Sequence, residues 1–149
     1  MSVKHSMSVK HFFFLFLFLV VPGTSFASFL CTATSDNYRD MPDGLVFSRE
    51  AALRGAQGTE GGHQLLHQDG RYAYSLVAGQ VMKVGNGPTE LKDFYVELRS
   101  IASGTVMRAR SGRNDNPRHA QLELITYAKD SFLYDGILLF SCKQYLFGE

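Results

Sequence analysis

Three features of the chain predict an all-β protein. Apolar residues alternate with polar ones over short stretches, and helical periodicity is scarce. Glycine and proline turn signals separate these stretches at hairpin-length intervals. The two cysteines, Cys31 and Cys142, stand near the two ends of the expected mature chain. The expected fold is a small antiparallel β-barrel or sandwich of about eight short strands, closed by one disulfide. It follows a cleaved signal peptide.

The leader comes first. MSVKHSMSVKH carries Lys4 and Lys10 and no acid, and Phe12 to Val21 is an unbroken apolar run. PGTSFA then supplies a helix breaker and small residues at Ser25 and Ala27. A basic start, a short apolar core and a small-x-small end predict a secretory signal peptide over residues 1–27. Ten apolar residues are too few to span a bilayer, which takes about 20. Residues 28–149 are then one all-β domain, secreted or periplasmic. The chain holds 15 Lys and Arg against 14 Asp and Glu. The leader contains two of the bases and none of the acids, so the mature chain is near neutral. A near-neutral chain has no global attraction for nucleic acid.

An oxidising compartment and an even count predict that Cys31 and Cys142 pair. Phe29 and Leu30 are too large for a lipoprotein cleavage site, which needs small residues before its cysteine. Pairing makes the first and last strands neighbours, since bridged Cα atoms lie within about 7 Å. That adjacency favours closure into a barrel.

FLCTAT (29–34) is the first expected strand, and SDNYRDMPDG (35–44) is a loop ending in a proline–glycine turn. LVFSR (45–49) is a short strand, and REAALRGA (49–56) is the one segment with helical propensity, stopped by Gly55. AQGTEGG (56–62) is a loop. HQLLHQDGRYAYSLV (63–77) reads as a hairpin with Asp69-Gly70 at its tip. That tip sets Gln68 opposite Arg71, His67 opposite Tyr72, Leu65 opposite Tyr74 and His63 opposite Leu76. The face to bury is His63, Leu65, His67, Tyr72, Tyr74 and Leu76, which carries the aromatic area. QVMKV (80–84) is expected to pair back. In DFYVELRSIA (93–102), Phe94, Val96 and Leu98 point inward, with Tyr95, Glu97 and Arg99 outward. TVMRAR (105–110), HAQLELITY (119–127) and FLYDGILLFSC (132–142) complete the set. The long apolar half of the last suggests a central strand, with Leu138, Phe140 and Cys142 on one face.

No motif fixes a chemistry. His63 and His67 stand at H-x-x-x-H spacing, but four strand residues span about 13 Å, too far to share a metal. No metal or cofactor is expected. Gly-x-Ser-x-Gly and a phosphate-loop lysine are both missing. Arg108, Arg110, Arg113 and Arg118 with His119 form a basic stretch, and Asp115 lies within it. These are the candidate binding residues, for an unknown protein or an anionic envelope ligand. Tyr38, Tyr95 and Tyr127 are expected at the surface, where tyrosine suits protein interfaces.

Cys31, the RYAYSLVAGQVMKV stretch (71–84) and Cys142 give a layout that resembles small bacterial periplasmic inhibitors of c-type lysozyme. The resemblance implies architecture and carries over no site residue. The leading functional expectation is a non-enzymatic binding or inhibitor-type module, with contacts on loops 35–44, 56–62 and 111–118. The alternative is a secreted hydrolase using His63, His67 or His119. A structural envelope component is a third reading.

Overall fold

The computed structural model describes residues 27–83, 85–86, 89–112, 118–129 and 133–145. The expected leader lies outside these, apart from Ala27, which opens the first strand and pairs with Leu53. Ten strands follow in order. They are β1 (Ala27–Asp36), β2 (Gly44–Leu53), β3 (His63–Gln68), β4 (Tyr72–Ala78) and β5 (Val81–Lys83). Then come β6 (Thr89–Leu91), β7 (Phe94–Ser100), β8 (Val106–Arg110), β9 (His119–Tyr127) and β10 (Tyr134–Tyr145).

Two four-stranded antiparallel sheets, β2-β1-β10-β9 and β3-β4-β7-β8, hold most of them, and β5-β6 is a separate ribbon. The two sheets face each other across one core. Phe29 of the first sheet meets Phe94 of the second edge-on at 4.7 Å between ring centres. Tyr74 of the second meets Phe140 of the first at 5.4 Å. Such edge-to-face pairs add roughly 0.5–1.5 kcal/mol each beyond area burial. Among the described residues no hydrogen-bonded ladder joins one sheet to the other, so the barrel closure suggested by the chain ends is not what forms.

The disulfide is present. Cys31 and Cys142 stand directly opposite each other on β1 and β10, with Cα atoms 4.1 Å apart. Both are fully buried. The bridge therefore stitches neighbouring strands within one sheet, with 111 residues of sequence separation between its halves. β10 is an inner strand of its sheet, and Leu138, Phe140 and Cys142 share its core face, as the pattern predicts.

Three local expectations are overturned. Residues 49–53 belong to β2 and are not helical, since Ala51 and Leu53 face the core and β2 pairs with β1 as far as Leu53. Burial and ladder bonds outweigh an intrinsic preference of a few tenths of a kcal/mol per residue. Residues 81–83 pair with β6 instead of turning back on β4.

The β3–β4 hairpin also has another register. Asp69 accepts the backbone N–H groups of Arg71 (2.7 Å) and Tyr72 (2.8 Å), and its own N–H bonds Tyr72 O at 3.0 Å. The tip is thus Gly70-Arg71, and Gln68 faces Ala73. A bulge between Leu65 and His67 then shifts the register again, so His67 faces Tyr74 while Leu65 faces Ser75. One extra residue reverses the side-chain faces. Tyr72, Tyr74 and Leu76 are buried as expected, but Leu66 is buried in place of Leu65, and His63 is exposed.

Candidate functional site: a cationic face on the second sheet

The outer face of the second sheet collects charged side chains in adjoining rows. Across β3, β4, β7 and β8 one row reads Leu65, Ser75, Glu97, Arg108 and the next His63, Val77, Tyr95, Arg110. Alternation along β7 adds Arg99 two residues beyond Glu97. The alternation along β7 predicts Glu97 outward. It does point away from the core, but its side chain is only 4% exposed, because cations cover it. Arg108 donates from Nε to Glu97 Oε2 at 2.7 Å. Arg99 Nη2 lies 3.8 Å and His63 Nε2 4.0 Å from Oε1. A buried carboxylate needs such partners, since taking a charge out of water unpaired is costly.

A second pair lies alongside. Asp93, the residue before β7, is buried and accepts the Arg110 Nε–H at 2.7 Å. Gly79 makes this placement possible: its N–H bonds Asp93 O at 2.9 Å, and a Cβ there would collide with the carboxylate. The N–H of Gln80 donates to Asp93 Oδ1 at 2.5 Å. The hydrogen bond and charge of Asp93 hold the Arg110 guanidinium above arginine's ordinary range. Lys92, Asp93, Arg108, Ala109, Arg110, Ser111 and Gly112 line an open groove of about 550 Å³. Ser111 Oγ accepts the N–H of Phe94 at 3.1 Å, tying the end of β8 to β7.

The candidate residues are divided between the two sheets. Arg108 and Arg110 lie on β8 of the second sheet, whereas His119 opens β9 on the first, opposite Lys143. Arg118 precedes it, its carbonyl accepting Gln144 N–H at 2.8 Å. Arg113 lies outside the described residues, as does most of the 111–118 loop. The two histidines of β3 have different surroundings. His63 is on the outer face, and His67 packs against Phe47 and Tyr74, at 5.0 and 5.6 Å between ring centres. Arg99, Glu97 and Asp93 were missed as site residues. Their only signal was alternation, with Asp93, Tyr95, Glu97 and Arg99 at every second position, which also describes an ordinary solvated strand.

Among the described residues no cluster of three or more His, Cys, Asp or Glu side chains is placed to hold a metal ion. Among them, too, no helix is long and apolar enough to cross a membrane. The disulfide fits an oxidising compartment. In comparisons with known proteins, no protein family, no curated protein and no solved structure matches this chain.

Proposed function

We propose that this chain is a secreted or periplasmic, non-enzymatic binding module of inhibitor type, whose cationic face takes an anionic group of an envelope polymer or an acidic partner. One observation carries the reading. Arg108 and Arg110 are each anchored by a buried carboxylate while their side chains stay about half exposed, at 50% and 54%. Glu97 occupies Nε of Arg108, and among the described residues the terminal nitrogens of that guanidinium meet no acceptor, which leaves them for a ligand. An anchored guanidinium loses little further freedom on binding, which favours affinity. Arg99 and Lys92, both exposed, add charge beside it. The inhibitor class rests on the layout of Cys31, residues 71–84 and Cys142 in the sequence, which carries over no site residue.

The test uses heparin and poly-glutamate as anionic probes at low salt. The wild-type chain is expected to bind at least one, with affinity falling as salt rises. A triple Arg99→Ser, Arg108→Ser, Arg110→Ser variant should bind at least tenfold more weakly, while Arg108→Lys retains part of the affinity. No binding by the folded wild type, or undiminished binding by the folded triple variant, refutes the reading.

His63 beside Glu97 supports a second reading, a hydrolase with a carboxylate-oriented histidine. Against it, Ser75, the hydroxyl residue opposite Glu97, is 4% exposed and closed to substrate. Loss of a hydrolytic activity in His63→Ala, with folding intact, would favour it.

A further inference from the structure

A second recess lies away from the arginine face, where the β1–β2 loop meets the β3–β4 turn. Asp40, Met41, Pro42, Leu45, Val46, Asp69, Gly70 and Arg71 enclose about 350 Å³. That is at the lower end of the range for small-ligand pockets, roughly 300–1,000 Å³. Met41, Pro42, Leu45 and Val46 make its walls apolar. Leu45 is 65% exposed.

The recess is shaped in advance by a strained loop. Asn37, Arg39 and Asp40 all have left-handed backbones, with φ of 50°, 44° and 59°. Asn and Asp tolerate that region, whereas Arg39 is out of place there, and such residues persist only where their surroundings hold them. Here the surroundings do. Asn37 N–H donates to Asp43 Oδ1 at 2.6 Å, and Met41 N–H donates to Tyr38 O at 2.8 Å. The Tyr38 ring is buried and its hydroxyl bonds Tyr72 at 3.0 Å. Asp69, on the opposite lip, is held by Arg71 N–H, Tyr72 N–H and the Tyr74 hydroxyl.

Charge selects the occupant. The residues lining the recess include Asp40 and Asp69 against Arg71, an excess of one negative charge. The Arg39 guanidinium lies over the Tyr38 ring, 5.3 Å from its centre, and lines a different groove. Asp40 is 99% exposed at its side chain and 3.8 Å from Arg71, a pair that solvent screens strongly. We infer that this recess binds a segment of a partner protein in which a large apolar residue adjoins a lysine or arginine. The apolar side chain occupies the walls of Met41, Pro42, Leu45 and Val46, and the cation meets Asp40. This site is independent of the arginine face, whose charge is opposite, so either can fail without the other.

Amide chemical-shift mapping of the isotopically labelled chain tests it with two probes, acetyl-Phe-Lys-amide and acetyl-Phe-Glu-amide. The lysine peptide is expected to shift the amides of residues 40, 41, 43–46 and 70–71 and leave 106–110 unmoved. Leu45→Ser and Asp40→Asn should each weaken that response at least threefold. Both sites are exposed, so both variants should keep the wild-type spectrum elsewhere. The proposal falls if the lysine peptide shifts none of these amides, if both peptides shift them equally, or if the folded variants respond like the wild type.

Discussion

Tyr38 sits among polar loop residues and reads as a surface tyrosine, yet it is 1% exposed. The chain doubles back after Asp36 and inserts the ring beside Tyr72, 6.4 Å between ring centres. Burial is the largest cause, with the Tyr72 hydrogen bond next, in pushing the Tyr38 phenol from 10.0 up to about 12. Tyr74 moves the same way, through burial and then the Asp69 charge. A phenol raised on folding stabilises the fold fully below its unfolded value. That stability is lost as pH rises from the unfolded value toward the folded one. Urea midpoints are therefore expected to fall between pH 10 and 12. Tyr38→Phe should shrink that fall and, by stranding the Tyr72 hydroxyl, cost about 1 kcal/mol at pH 8. Parallel pH profiles for the two proteins would refute this assignment.

At the scale of elements, the β3–β4 hairpin shows what a pattern conveys and what it hides. Asp-Gly between strand formers located the turn, and Tyr72, Tyr74 and Leu76 were read to the correct face. The register was not legible. It depends on the Asp69 carboxylate capturing two backbone N–H groups and on a bulge at Leu66. The bulge predicts a sharp contrast between adjacent leucines. Leu66→Ala should cost about 2–5 kcal/mol, as buried leucines do, and Leu65→Ala less than about 0.5. Denaturant unfolding of the two variants measures this, and equal costs would contradict the register. β2 makes the same point about propensity. Arg49 Nη1 bonding Leu66 O at 2.5 Å and Ala52 N–H bonding Gln64 Oε1 at 3.1 Å tie β2 to β3, and no local pattern encodes those bonds.

At the scale of the molecule, two sheets share one aromatic core and a single covalent stitch. Replacing both cysteines with alanine should lower stability by about 4–5 kcal/mol, by the loop-entropy argument for a long closed loop. The stitch joins inner strands β1 and β10, so its loss should leave the antiparallel pairing intact. Urea unfolding with far-ultraviolet circular dichroism checks both statements, and an unchanged midpoint would show that the ladder alone sets the stability. The sequence by itself determined the all-β class, most strands, the inward faces of β7 and β10, and the Cys31–Cys142 pairing. These follow from period-two alternation, turn chemistry and cysteine count, which are local or one-dimensional signals. Only the tertiary structure decided that the strands form two facing sheets, that Glu97 and Asp93 are buried beneath arginines, and that His63 meets Glu97 while His67 packs on aromatic rings. Those outcomes depend on register and on which sheet each strand joins. A single inserted residue or one captured N–H changes them without changing the pattern of apolar and polar residues.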